Sequence, residues 1–121
     1  MHELSIALNL VEIAETAARD AGATRVETVH LKLGVFSGVV KEALLFAYDT
    51  ATRDTLLAGS RLQIEDVPLV IYCPACDQER ELPSIQWLQC PHCGTPANEI
   101  RRGTELELTS MEIVDDETEI A

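Results

Sequence analysis

The chain has 121 residues, of which 46% are hydrophobic and 25% are charged, and its formal net charge is −12. This length predicts one domain, or one domain with a small satellite. An acidic surface repels phosphate backbones, so the charge argues against nucleic-acid binding. No apolar stretch approaches the length of a membrane span, and the start carries Glu3 and Glu12 instead of a basic leader. The sequence therefore predicts a cytoplasmic protein, in which paired cysteines more often bind metal than form disulfides.

The secondary structure predicted from hydrophobic periodicity is helix, strand, helix, strand, insert, strand. Apolar residues at helical spacing predict a first helix over residues 4–20 that buries a wide apolar face and ends at Gly22. The period then changes to two, which predicts a strand from Arg25. The inward side chains expected for that strand are Val29, Leu31, Leu33 and Val35. The later elements are a turn over 34–38, a helix over 39–53, a strand over 61–66 and a last strand after Gly103.

These elements predict an α+β fold, with two helices packed on one face of a three-stranded sheet. A small four-cysteine zinc knuckle is expected to be inserted between the second and third strands, where the sequence is rich in Cys and Pro. The expected domains are an α+β domain (1–70 plus 98–121) and a zinc-binding subdomain (71–97). The apolar positions of the last strand change parity between Leu108 and Met111, so we expect a bulge or twist between them.

All four cysteines lie in the insert, as Cys73-Pro-Ala-Cys76 and Cys90-Pro-His-Cys93-Gly. Two CxxC pairs on turns can surround one tetrahedral ion, and four thiolates are a favoured ligand set for structural Zn(II). A redox CxxC would begin a helix in an α/β unit, and an iron–sulfur cluster matches two symmetrical knuckles less well. The sequence therefore predicts one structural Zn(II) per chain, bound by all four thiolates, with no position open for catalysis.

The other side chains of interest have ordinary explanations. Trp87, between Ile85 and Leu88, is expected to cover the small core of the insert. His92 is expected to be exposed, and His30, which alternates with core positions, to be solvated or packed on a helix. We find no Ser-His-Asp grouping, phosphate-binding glycine loop or carboxylate pair, so an enzyme is not expected and no catalytic residue is assigned.

The first three residues, Met1, His2 and Glu3, have the chemistry of a chelator. Initiator removal generally requires a small second residue, so Met1 is expected to keep a free amine. That amine, the backbone nitrogen of His2 and its imidazole can bind one ion, and Glu3 can add its backbone nitrogen or its carboxylate. Planar nitrogen-rich sets suit Ni(II) or Cu(II), and binding should weaken at low pH because the donors must lose protons. The alternative is an ordinary helix start, where Glu3 complements the helix dipole.

Four segments together resemble the hydrogenase nickel-incorporation proteins (the HypA/HybF family): MHELSIA, KLGVFSGVVKEALLFAY, CPAC…CPHCG and GTELELTSMEI. They cover nearly the whole chain in the right order. The resemblance implies a nickel metallochaperone for maturation of [NiFe] hydrogenase and, in some relatives, of urease. It also implies a nickel-binding α+β domain with His2 as the essential nickel ligand, Glu3 in the same site, and a zinc domain whose ligands are the four cysteines.

The partners implied by the resemblance are a nickel-handling maturation GTPase and the hydrogenase large subunit. The chain itself is expected to be a monomer or a homodimer, without nucleic-acid or membrane partners. Some relatives have an acidic residue just after the glycine-containing turn, but here Val40 is apolar and the first carboxylate is Glu42, so that role is not transferred. The alternative function is a protein-interaction adaptor that uses its zinc knuckle and has no metal-carrier role.

Overall fold

The computed structural model of the protein describes residues 2–115, which form two helices and six strands. The helices are α1 (His2–Asp20) and α2 (Lys41–Ala51). The strands are β1 (Arg25–Gly34), β2 (Arg61–Val67), β3 (Val70–Cys73), β4 (Gln78–Glu81), β5 (Ile100–Arg102) and β6 (Leu106–Val114). Both predicted helices and all three predicted strands are present, and β3, β4 and β5 are additional.

The first sheet has the strand order β2-β1-β6, so β1 is its central strand. One hydrophobic cluster gathers buried residues of α1, α2, β1 and β2, and Leu108 and Met111 of β6 pack against it. The predicted α+β arrangement, with a segment inserted between the second and third strands of this sheet, is confirmed. Leu108 and Met111 contact the same cluster although they are three residues apart, which a strictly alternating strand does not allow. This spacing agrees with the irregularity predicted between them.

Helix α1 buries a narrower stripe than its sequence predicts. The buried side chains are Ala7, Leu10, Val11, Ala14 and Ala18. Leu4, Leu8 and Ile13 are exposed, so the prediction of a wide buried face was wrong. The helix ends as predicted: Gly22 has a φ of 79°, and the Ala23 N–H donates to the carbonyl of Ala18, as in a Schellman motif.

The central strand β1 buries Val29, Leu31 and Leu33, as its alternation predicts. Val35 was expected on the same face but is 47% exposed. The reason is that β1 ends at Gly34, and Val35 belongs to the turn that follows. Alternation therefore stops one residue before the last apolar side chain of the pattern.

The second sheet has the order β4-β3-β5, and β3 pairs antiparallel with both neighbours. Its hydrophobic cluster is small and consists of Leu69, Ile71 and Leu82, with Phe36 and Ala97 packed against it. The sequence predicts a knuckle here but not this sheet, because the three strands are short and β4 and β5 bury no side chain. The insert therefore has its own sheet and its own core.

The chain divides into two compact units, which we call the helical unit and the cysteine unit. The helical unit comprises, within the described range, residues 2–31, 39–64 and 108–115. The cysteine unit comprises Lys32–Gly38 and Glu65–Glu107, and so extends beyond the insert expected at 71–97.

Two glycines of the cysteine unit, Gly34 and Gly103, allow a close backbone contact. A Cβ on Gly34 would lie 2.1 Å from the carbonyl oxygen of Gly103, and this oxygen accepts a hydrogen bond of 2.7 Å from the N–H of Phe36. Backbone atoms cannot swing aside as a side-chain end can. The contact therefore depends on the absence of a side chain at position 34.

We expect Gly34→Ala to lower the free energy of unfolding by about 3 kcal/mol, because the added methyl group must displace backbone. Urea denaturation monitored by circular dichroism measures this loss. Gly38→Ala is the matched control: Gly38 has a φ of 82°, and a Cβ added to it would meet no atom within 4 Å. Its cost should be limited to the left-handed backbone, about 1 kcal/mol. Equal losses for the two variants would contradict the steric explanation.

Candidate metal centres

The first cysteine pair lies on the turn between β3 and β4. Cys73 is the last residue of β3, and Cys76 lies in the turn that leads to β4 at Gln78. Asp77 closes this turn with a φ of 52°, and its carboxylate accepts a hydrogen bond from the hydroxyl of Tyr72. The strand pairing and the closed turn together fix where the two sulfurs point.

The second pair lies on a turn without flanking helices or long strands. The Gly94 N–H donates to the Cys90 carbonyl at 2.9 Å, and the Cys90 N–H donates to the Thr95 carbonyl at 2.8 Å. Gly94 has a φ of 79°, which lets the chain reverse. An isolated antiparallel β-bridge pairs Gln89 with Pro96 and closes the base of the turn. This is the second knuckle expected from the CPHCG segment.

The two knuckles bring all four sulfurs together. The Sγ atoms of Cys73, Cys76, Cys90 and Cys93 all lie within 4.8 Å of one another. Cys73 Sγ lies 3.5 Å from Cys93 Sγ, and Cys76 Sγ lies 3.9 Å from Cys90 Sγ, so none of these contacts is a disulfide. A tetrahedron with metal–sulfur bonds of about 2.3 Å has edges of about 3.8 Å. The four sulfurs therefore fit one tetrahedral ion and leave no ligand position open.

The surroundings lower the pKa values of Cys90 and Cys93 and raise that of Cys76. The hydroxyl and the amide of Thr95 lower the pKa of Cys93 to about 6. Burial opposes ionisation of Cys90, but hydrogen bonds from the amides of Cys93 and His92 lower its pKa overall. Arg80 acts to lower the pKa of Cys76, yet the neighbouring thiols and burial raise it to about 11. A bound cation is what would allow all four sulfurs to be thiolates together.

One prediction for this unit was wrong. Trp87 is 69% exposed and does not cover the core of the insert, and Ile85 and Leu88 beside it are exposed as well. Leu69, Ile71 and Leu82 fill that core instead. A large aromatic ring between two aliphatic residues is more often buried than exposed, and nothing in the local sequence indicates the opposite here.

The N-terminal residues begin helix α1 directly. His2 is its first residue and is exposed, whereas Glu3 is half-buried. The Val40 N–H donates to Glu3 Oε2 at 3.1 Å, and this bond is the main cause that lowers the pKa of Glu3. Val40 is the residue before α2, so the carboxylate ties the first turn of one helix to the start of the other. Met1 lies outside the described residues.

The two remaining histidines are not part of either group. His30 is half-exposed on β1, and its Nε2 lies 3.4 Å from Glu112 Oε2. The hydroxyl of Thr28 and this imidazole lower the pKa of Glu112. His92 is exposed on the second knuckle, as expected. Across residues 2–115, no helix combines the length and the apolar character that a membrane crossing requires.

Comparison with known proteins identifies the same family that the sequence motifs resemble. Residues 1–113 match the family model described as "Hydrogenase/urease nickel incorporation, metallochaperone, hypA". A protein named "Hydrogenase maturation factor HypA" from Roseiflexus sp. (strain RS-1) is 53% identical over 119 residues, which cover 98% of this chain and 97% of that protein. A protein of the same name from Synechococcus elongatus is 41% identical, with coverages of 94% and 100%.

Solved structures agree on the fold. The solution structure of the Ni metallochaperone HypA from Helicobacter pylori matches with a TM-score of 0.65 at 23% identity, covering 94% of this chain and 98% of that one. A second solution structure of a HypA protein gives a TM-score of 0.67 at 24% identity, with coverages of 96% and 98%. From the family match over residues 1–113 and the identities of the relatives, the chain belongs to the HypA family of nickel metallochaperones for hydrogenase maturation.

Proposed function

We propose that this protein binds Ni(II) through its N-terminus and delivers it during maturation of [NiFe] hydrogenase. The observation that carries the proposal is the exposed imidazole of His2, the first residue of α1, in a chain whose family match begins at residue 1. The family model covers nickel incorporation into both hydrogenase and urease, so urease is a second candidate acceptor. The proposed partners are a nickel-handling maturation GTPase and the hydrogenase large subunit.

The proposed nickel donors are the amine of Met1, the backbone nitrogen and imidazole of His2, and the backbone nitrogen of Glu3. The first four N–H groups of a helix have no partner within the helix, so coordination by these backbone nitrogens breaks no helical hydrogen bond. Glu3 Oε2 already accepts the N–H of Val40, which favours the backbone nitrogen of Glu3 over its carboxylate as the fourth donor. The carboxylate then holds the turn that presents the other donors.

The proposed role of the four cysteines is structural. A single Zn(II) bound by Cys73, Cys76, Cys90 and Cys93 would hold the two knuckles together, and a closed four-thiolate shell supplies no catalytic position. The sulfur separations of 3.5 Å and 3.9 Å are compatible with this ion. In this proposal zinc stays with the protein, and nickel is the cargo.

Nickel titration of wild type and His2→Ala, both loaded with zinc, tests the carrier function. Loss of a group that only supports a ligand costs about 10–100-fold in metal affinity, so loss of the imidazole itself should cost at least about that much. Isothermal titration calorimetry measures the affinities. His30→Ala, which removes an imidazole beside Glu112, is the matched control and should bind nickel as wild type does. Equal affinities of wild type and His2→Ala would refute the proposal.

A second candidate function is a protein-interaction adaptor without metal cargo. The exposed side chains of Ile85, Trp87 and Leu88 favour it, since exposed apolar side chains can anchor a partner. Hydrogenase activity in cells that carry each variant separates the two functions. The adaptor predicts that His2→Ala preserves maturation and that Trp87→Ser abolishes it. The carrier predicts that His2→Ala abolishes maturation whatever the effect of Trp87→Ser.

A further inference from the structure

Arg80 lies on the inner face of the second sheet. The pairing of β3 with β4 places Arg80 opposite Ile71, and directly opposed residues of an antiparallel pair project to the same face. Ile71 is 0% exposed, and Cys73, two residues further along β3, projects to that face as well and is 1% exposed. The side chain of Arg80 is therefore directed to the side of the sheet that carries the core and the Cys73 sulfur.

Arg80 differs from the other two arginines of the cysteine unit. Arg101 pairs with Glu99 at 2.7 Å, and Arg102 pairs with Glu79 at 2.8 Å. The Nε of Arg80, by contrast, is buried and has no hydrogen-bond partner among the described residues. A buried N–H donor without an acceptor is costly, so an acceptor or a negative charge close to it would stabilise the side chain.

The sulfurs of the four-cysteine group can supply that negative charge. Hydrogen bonding to the Cys76 thiol is the main cause that raises the pKa of Arg80, and Cys90 acts in the same direction. Both sulfurs belong to the four-cysteine group, one from each knuckle. A guanidinium has five N–H donors in a fixed fork, which can reach two acceptors at once. Arg80 can therefore reach one sulfur acceptor on each knuckle.

The net charge of the metal-bound centre explains why a cation beside it would be stabilising. Four thiolates around one Zn(II) carry a net charge of −2, and Cys73 and Cys90 are each only 1% exposed. Because two of the four thiolates are buried, this charge is costly unless cations or hydrogen-bond donors offset it. Arg80 can supply one positive charge together with N–H···S hydrogen bonds.

We propose that Arg80 is a positioning residue of the four-cysteine centre, whose guanidinium donates hydrogen bonds to the Cys76 and Cys90 thiolates and offsets half of the centre's negative charge. The inference rests on the four-thiolate zinc site proposed above. Groups that contact ligand atoms set both metal affinity and the electronic state of the ligands. The role is therefore measurable at the metal, separately from the stability of the fold.

The experiment compares Arg80→Met with wild type, and with Arg102→Met as the control that loses the same charge in the same unit. Zinc transfer to a chromogenic chelator should be about tenfold faster for Arg80→Met and unchanged for Arg102→Met. With Co(II) in the site, loss of the N–H···S bonds raises the energy of the sulfur electrons. The thiolate-to-cobalt charge-transfer band of Arg80→Met should therefore move to longer wavelength.

Arg80→Lys keeps the charge but loses the fork, so its release rate should lie between those of wild type and Arg80→Met. If Arg80→Met does not fold, Arg80→Lys and Arg80→Gln carry the same spectroscopic comparison. Unchanged charge-transfer energy and release rate would overturn the proposal, and so would equal effects of Arg80→Met and Arg102→Met. A wild type that binds no zinc or cobalt would instead refute the four-thiolate site itself.

Discussion

Cys90→Ser is expected to abolish zinc binding and to unfold the cysteine unit. Cys90 is 1% exposed, and its Sγ lies 3.9 Å from that of Cys76, so a hydroxyl in its place leaves the tetrahedral set incomplete. The three-residue core of this unit is too small to be stable by itself, and structural zinc contributes about 10–16 kcal/mol in comparable small domains. Metal analysis should find no zinc, and amide exchange should lose its protection over residues 65–107.

Trp87→Ser is the matched control for this prediction, because it alters an exposed side chain of the same unit and leaves the four sulfurs untouched. It should retain one zinc per chain and the amide protection of wild type. The main hydrophobic cluster lies in the helical unit, so amides of α1 and of β1 as far as Leu31 should stay protected in Cys90→Ser. A Cys90→Ser protein that keeps both its zinc and its protection would contradict the structural role of the ion.

Extension of the chain ahead of Met1 by Gly-Ser-Gly is expected to lower nickel affinity by more than about 100-fold, beyond the loss from a supporting group. The extension turns the Met1 amine into an ordinary amide and breaks the fused chelate rings, while the imidazole of His2 stays intact. A planar Ni(II) complex absorbs in the visible range, so the loss is measured by titration calorimetry and by the absorption of the nickel complex.

The same three residues added after Ala121 serve as the control, since they leave the amine free. That protein should bind nickel as wild type does. Nickel binding with wild-type affinity by the N-terminally extended chain would mean that the donors lie elsewhere. Zinc content should be the same in both extended proteins, because the four cysteines are far along the chain from either end.

The parts of the fold that sequence predicts well are those where one local signal suffices. Gly22 ends α1 because a left-handed residue was needed there, and the alternation of Val29, Leu31 and Leu33 follows from burial of one face of β1. The approach of the four sulfurs was equally predictable, since two CxxC turns at this spacing are typical of a shared metal site. Each of these predictions needs only the residue and its near neighbours.

The parts that sequence misses depend on contacts with distant residues. The segment Gln78–Glu81 is polar throughout and gives no strand signal, and its structure comes from pairing with β3. Arg80 there resembles any solvated charge until the pairing places it opposite Ile71. The exposure of Trp87 is missed for a different reason. Its hydrophobicity favours burial, but aliphatic side chains already fill the local core.

The sulfur geometry also has a consequence for the redox chemistry of the chain. Cys73 Sγ and Cys93 Sγ, one from each knuckle, lie 3.5 Å apart, and a disulfide needs about 2.05 Å. A shift of about 1.5 Å would therefore let an oxidant join the two knuckles covalently once the metal is removed. A metal ion bound by the four thiolates would then also protect them from oxidation. Metal-free protein should accordingly be prepared under a reductant.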